Sequence, residues 1–434
     1  MNSDLAQHIE QTFVMDTHEH MKKEDQWTNG PSDVLADLFT SYAQNDLESA
    51  GASTDAAKQS MASDDPDIER RWMNIEPARS AMQFTGYGEA VRIIAQDIYE
   101  MDRITPETLR SAQPKLDELR QPGGRLHLLR DRAKLDHIQT DDICWPCLPD
   151  DSGPDFFLYD LSWATFCEGN VQPDELARET DITVKNLSTL QQGMESLFEN
   201  YGSIAIAVKS QHAYHRTLRW TDRSNADADR ALQAILTHPD NVDESTRRCL
   251  GDWCWARGVE LAIQHNLPFK IHTGYYAGNG NMIADRVPSG HLCPLLAKYP
   301  DARFVLMHTA YPYSDEIIAL TKHFPNTWSD LCWAWAINPY ATVEFVRRFL
   351  HAAPVNKLFV FGGDTGRPTS AYAYSVQMRR YLLRALQAEV DDGYMSESQA
   401  IEVVTRFMRT NQMDCFDLDG TRAAIAQTSQ PVTV

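Results

Sequence analysis

The sequence predicts an α/β protein, a distorted (β/α)8 barrel of parallel strands with a helical insertion after the first strand. Three observations carry that reading. Short apolar runs alternate with amphipathic helical stretches beyond Leu126, several of those runs end on a histidine, lysine or aspartate, and a polar, helix-biased block separates the first run from the others.

The first run stops at "FVMDTHEH", Phe13 to His20. Phe13, Val14 and Met15 read as a short buried strand. In extended backbone alternate side chains share a face, so His18 and His20 project to one side and Thr17 and Glu19 to the other. Two imidazoles on one face can grip one metal ion, although an isolated His-x-His is more often a pair of solvated or core histidines. From Trp27 to about Arg120 the chain is polar and helix-biased, and "GYGEAVRIIAQDIYEMD" places Ala90, Ile93, Ile94, Ile98 and Met101 at helical spacing. Residues 27–120 therefore read as a helical insertion within one domain spanning 1–434. Inside it, "SAGASTDAAKQSMASDDPD" reads as an exposed connector.

The later runs are "FFLYDLSW", "SIAIAVKS", "PFKIHTG", "ARFVLMHTA", "NTWSDLCWAW" and "KLFVFGGDT". They deliver Lys209, His272, His308 and Asp364 at or just past four apolar stretches. A single polar residue at a strand end has a bland explanation. Four of them, with His18 and His20 before them, point to the C-terminal rim of a barrel, where strand ends converge on one pocket.

The chain of 434 residues is 43% hydrophobic, enough for a large core, and carries 40 Lys+Arg against 61 Asp+Glu, a formal charge of -21. That balance repels phosphate backbones and anionic lipid surfaces, so nucleic-acid and membrane partners are not expected. No apolar run reaches about 18 residues and the start "MNSDLAQHIEQTF" lacks a signal peptide's basic and apolar regions. A cytoplasmic protein acting on a small molecule is expected. The eight scattered cysteines read as reduced thiols, and "CWPC", Cys144 to Cys147, lacks both a second CxxC and the strand-then-helix setting of a redox site.

Taken in order, His18 and His20, Lys209, His272, His308 and Asp364 resemble the pattern of the amidohydrolase superfamily, metal-dependent TIM-barrel enzymes. That pattern has His-x-His after the first strand, an acid or lysine after the fourth, a histidine after each of the fifth and sixth, and an aspartate after the eighth. Within the superfamily, "VKSQHAYHRTL", "PFKIHTGY", "FVLMHTAYPYSDEIIAL" and "FGGDT" look most like the amidohydrolase domain fused to glutamine synthetase in nodulin-type proteins, and more distantly like uronate isomerases. The resemblance implies a homo-oligomer and hints at γ-glutamyl-amide-like substrates.

Neutral imidazoles and a carboxylate suit Zn²⁺ or a similar divalent ion and leave a position for water, whose pKa a metal lowers from 15.7 to about 7. Asp364 is placed to ligate the metal, take the water's proton and later pass it to a leaving group, so amide, lactone or ester hydrolysis by a metal-activated hydroxide is expected. Lys209 sets the number of ions. An ammonium beside a dication either turns away, loses its proton, or reacts with CO2 to give a bridging carbamate. The resemblance implies the carbamate, with His18, His20 and Asp364 on one ion, His272 and His308 on the other, and carboxylated Lys209 shared. With Lys209 unmodified, one ion and a uronate isomerase-like or decarboxylase reaction are the alternative.

For substrate binding, "SQHAYHRTLRW" offers His212, Tyr214, Arg216 and Arg219 on the fourth rim loop, where an arginine fork could hold a substrate carboxylate. Arg367 is a second candidate for that carboxylate, against the ordinary fate of such arginines in ion pairs. Trp333 and Trp335 read either as pocket walls or as packing aromatics. "GYYAGNGNMIADRVPSGH" lacks the dinucleotide pattern and reads as a rim loop or lid, and no Gly-x-Ser-x-Gly elbow supports a serine triad.

Overall fold

Val14 and Met15 open a strand, β1 (Val14–Glu19), that is buried along its whole length. Phe13 stays outside it and is 41% exposed, so the strand begins one residue later than expected and carries His18 within it. Seven further strands follow: β2 (Leu135–Thr140), β3 (Phe157–Ser162), β4 (Ala205–Ser210), β5 (Phe269–Ile271), β6 (Phe304–Leu306), β7 (Thr327–Asp330) and β8 (Leu358–Phe359). All pair in parallel in the order β1 to β8. The computed structural model describes residues 3–40 and 42–428.

The stretch after β8 lies against β1 and brings the ends of the sheet together. Thr17 N donates to Phe361 O at 3.0 Å, Asp364 N to His18 O at 2.8 Å and His20 N to Thr365 O at 3.1 Å. Two glycines make that approach possible. A Cβ at Gly363 would run into the Glu19 carboxylate, and one at Gly362 into Cys332 Sγ and Thr17 Oγ1. The eight-stranded barrel stands as the sequence predicts, with helices in every connection except that from β2 to β3.

One strand escapes the apolar-run reading. β2 is "LDHIQT", with His137 and Gln139 buried inside the barrel and Gln139 Nε2 3.2 Å from His137 Nε2. Its interior face is polar, so no apolar run marks it.

Between β1 and β2 the chain is helical, including Val34–Phe39, Tyr42–Ser49, Ile68–Met82 and Pro106–Leu119. Ala90, Ile93, Ile94, Ile98 and Met101 are all buried, with a π-helical turn over Ile94–Ile98. The expected connector is mostly exposed, as read, but it is not a plain loop. Thr54–Ser60 forms a helix capped by Ser53, Ala57 and Ser60 are buried, and Arg71 holds the segment through Gln59 O, Ser60 O and Asp65 O. The same guanidinium pairs with Asp33 at 2.5 Å, a buried tie that low local hydrophobicity does not reveal.

Candidate metal centre

His18 and His20 share one face at the end of β1, ring centroids 4.7 Å apart. Both Nε2 atoms lie 3.3 Å from Asp364 Oδ1, and His308 Nε2 lies 3.9 Å from Asp364 Oδ2. Among the described residues two groups have ligand atoms close enough to hold a cation: His18, His20 and Asp364, and His308, Cys332 and Asp364. Asp364 belongs to both.

Backbone carbonyls set the imidazoles. A carbonyl only accepts, so His20 Nδ1 donates to Asp141 O at 2.7 Å and His308 Nδ1 to Cys332 O at 3.1 Å. Each Nε2 is thereby turned toward Asp364, the usual way an outer hydrogen bond orients a metal-binding histidine. His308 Nε2 is buried and has no hydrogen-bond partner. A buried, unpaired ring nitrogen facing a carboxylate is costly unless a cation completes it, so the donor set fits a divalent metal.

Three of the turns that aim these groups use left-handed backbone, His308 (φ 65), Trp333 (φ 64) and Asp364 (φ 54). Such conformations cost of the order of 1–3 kcal/mol each in non-glycine residues and are retained where surrounding structure enforces them.

Charge states follow from burial and neighbours. Burial pushes His308 down to about 3, and burial with His308 and Lys209 nearby pushes His272 well below its usual value. Burial and then Lys209 also lower His18. His20 is the exception, since the hydrogen bond and charge of Asp364 outweigh burial and raise it. Burial would raise Asp364, but hydrogen bonds from His18 and His20 with the nearby imidazoles hold it well below the carboxylate range. The centre is therefore an anionic carboxylate among mostly neutral imidazoles.

Lys209 is 1% exposed, and its Nζ lies 3.1 Å from His18 Nε2. It pairs in register with Ser162 on β3 and Lys270 on β5. His272 stands beside His308, ring centroids 4.3 Å apart, but its Nε2 bonds Tyr275 O at 2.9 Å, leaving Nδ1 as its free nitrogen. Sequence reasoning brought out none of the support beneath. Lys270 Nζ donates to both oxygens of Asp160 at 2.8 and 2.9 Å and to Thr17 O at 2.7 Å, and Asp160 Oδ2 lies 3.7 Å from His18 Nδ1. The signal was present, a charge in the middle of each apolar run, "FFLYDLSW" and "PFKIHTG".

The expected substrate-binding residues divide. Tyr214 packs 4.8 Å from His272, and its hydroxyl accepts from Ala277 N at 2.9 Å. Trp333 packs 5.6 Å from His308, with Tyr42 at 4.3 Å and Tyr275 at 5.7 Å on its other sides. Trp335 instead donates to Val360 O and packs in the core. His212 is buried away from the ligands, with Nδ1 2.7 Å from Ser210 Oγ and its ring 4.3 Å from Trp255. The expected carboxylate fork is corrected. Arg216 is buried and committed to Asp252 at 2.6 Å and to Cys167 O and Arg219 O, while exposed Arg219 reaches His291 at 2.9 Å. Arg367 is half-buried near Trp27 of the helical segment. The rim loop is tied down through Asn279, which donates to Asn45 O at 3.0 Å. Cys144 and Cys147 are both free thiols.

Residues 215–396 match the family model described as Amidohydrolase. The match contains His272, His308 and Asp364, and with the barrel it supports the amidohydrolase superfamily. Protein fluG of Emericella nidulans is 24% identical over 268 residues, 57% of this chain. The chain spans about a third of that relative's length, 31%. Among solved structures, a uronate isomerase from Thermotoga maritima superposes with a TM-score of 0.78 at 13% identity, covering 95% of this chain and 96% of that one. A glucuronate isomerase from Caulobacter crescentus gives 0.75 at 14%, with 99% and 94% covered. A Lactobacillus casei protein described provisionally as a metal-dependent hydrolase gives 0.68 at 14%, with 96% and 99% covered. At these identities the likeness is one of fold. An amidohydrolase-like, metal-dependent barrel is what the match and the donor set support together. Among the described residues no helix is long and apolar enough to cross a membrane.

Proposed function

We propose that the chain is a cytoplasmic metal-dependent hydrolase that cleaves an amide C–N bond, or a lactone or ester bond, of a small carboxylate-bearing molecule. The observation that carries this reading is Lys209, buried in the ligand set 3.1 Å from His18 Nε2, where an ammonium would oppose a cation and a carbamate would hold two. In this reading His18, His20 and Asp364 would hold one zinc ion, His272 and His308 the other, and carboxylated Lys209 would be shared by both. The metal, when bound, supplies Lewis acidity and a water of lowered pKa.

The chain's own residues do the rest. Asp364 is anionic, so it can take a proton from the nucleophile and return it to the leaving group. Trp333, with Tyr42 and Tyr275 packed on it, walls the His308 side of the centre. Tyr42 belongs to the 27–120 insertion, whose role in this reading is to roof the barrel mouth. A pocket of about 470 Å³ opens beside His20, lined by Lys22, Lys23, Gln26, Asp142 and Cys144 among others. With Arg216 committed to Asp252, the candidates for a substrate carboxylate in this reading are Lys22, which lines that pocket, and half-buried Arg367. The nodulin-type resemblance adds γ-glutamyl-amide-like compounds as the first substrates to screen.

A second reading is a single-ion, uronate isomerase-like or decarboxylase enzyme. It is favoured by His272, whose Nε2 bond to Tyr275 O leaves His18, His20 and Asp364 as the most complete set. Turnover in H2¹⁸O separates the two. Label in a product carboxylate supports hydrolysis; unlabelled product with aldose-to-ketose conversion or CO2 release refutes it.

A further inference from the structure

The ligand set leaves one soft donor without a role. Cys332 stands two residues past β7 and is fully buried. Its Sγ, a His308 ring nitrogen and an Asp364 carboxylate oxygen lie within 4.8 Å of one another. A buried free cysteine is ordinarily a small core residue, and the chain has others, Cys147, Cys167, Cys254 and Cys415. None of these joins a metal-sized cluster among the described residues.

The independent observation is His308. Its ring is 0% exposed, Nδ1 is spent on Cys332 O, and Nε2 is left buried and unpaired on the side of the Asp364 carboxylate. The same loop residue thus orients the imidazole with its carbonyl and brings its sulfur within 4.8 Å of a His308 ring nitrogen and an Asp364 carboxylate oxygen. The loop is itself held, since Cys332 N donates to Asp330 Oδ1 at 2.9 Å. On the far side Gly362 leaves room for the sulfur, where a Cβ would come within 2.7 Å of it.

We propose that Cys332 is a thiolate donor to the metal centre, adding its sulfur to the cation that His308 would hold, with the Asp364 carboxylate in reach of the same group. The inference rests on the metal-centre reading above and adds a ligand to it. On coordination the S–H bond breaks, a metal–sulfur bond forms and the proton leaves to solvent, with no change of oxidation state. A thiolate at this position selects zinc or cobalt over magnesium or calcium.

The test is Co²⁺ loading of the metal-free full chain, recorded by absorption, for the parent and for Cys332→Ser. The expected result is an intense near-ultraviolet thiolate-to-cobalt band in the parent that is lost in the variant, with affinity for the second ion weakened at least ~10-fold. X-ray absorption of the zinc-loaded parent, which needs no variant, is expected to show a sulfur neighbour at about 2.3 Å. Bound Co²⁺ with only weak visible bands and no sulfur neighbour overturns the inference while leaving the metal centre standing. So does a charge-transfer band that survives in Cys332→Ser, because another thiol then supplies it. A parent that binds neither ion overturns the metal-centre reading itself, and this inference with it.

Discussion

Asp160→Asn is expected to damage stability and metal binding together. Asp160 and Lys270 are both fully buried, and the carboxylate receives two of the ammonium's three hydrogen bonds, at 2.8 and 2.9 Å. The amide keeps the shape but removes the charge, leaving the buried ammonium with two neutral acceptors, Thr17 O and the amide Oδ1, and an NH2 donor turned against it. Breaking one side of a buried pair costs about 3–5 kcal/mol, against a total stability of about 5–15 kcal/mol for a typical protein. Asp160 Oδ2 also lies 3.7 Å from His18 Nδ1, close enough for its charge to favour a cation at that ring, so its loss is expected to weaken metal affinity as well. The assay is urea unfolding of metal-free protein beside a metal titration of the folded form. Asp160→Asn with Lys270→Met removes both charges and is expected to recover most of the unfolding free energy but not the metal affinity. A single variant that loses less than about 1 kcal/mol, or a double variant less stable than the single, would refute the reasoning.

Three further outcomes are expected. Asp364→Asn leaves a folded protein whose kcat falls about 10²- to 10⁴-fold, since the amide cannot accept the proton; near-normal turnover would remove Asp364 from its role. In metal-free protein His308 has its folded pKa depressed to about 3, so its contribution is fully present above its unfolded value near 6.5 and is lost as pH falls toward 3. Unfolding free energy measured across that window should decline with falling pH, and less steeply in His308→Asn. Trp333→Ala, which empties a site shared by Tyr42, Tyr275 and His308, should cost about 3–5 kcal/mol in denaturant unfolding, while Trp333→Phe keeps most of it.

Much of this architecture can be read from the chain because its parallel strands are buried on both faces and appear as apolar runs. β4, "AIAVKS", ends one residue past Lys209 and β6 ends two before His308, so the runs also point to site residues. β2 stays hidden because it buries polar side chains, His137 and Gln139, where the other strands bury apolar ones, so no apolar run marks it in the sequence. Arg216 misleads for a related reason. A fork beside the fourth strand end resembles a carboxylate clamp until the helix Glu244–Gln264 brings Asp252 to it, a contact 36 residues away in sequence. Tyr42 and Cys332 were invisible as site residues because only tertiary packing brings the helix Tyr42–Ser49 and a post-β7 turn to the same centre. The connector at 49–67 shows the opposite failure, since Arg71 orders by hydrogen bonds what low hydrophobicity marks as loose.

The central claim is a metal centre bridged at Lys209, and elemental analysis of purified parent and Lys209→Ala tests it most directly. The expected result is about two divalent ions per parent chain and fewer in the variant. One ion in each would contradict the bridge and put the single-ion isomerase or decarboxylase reading first.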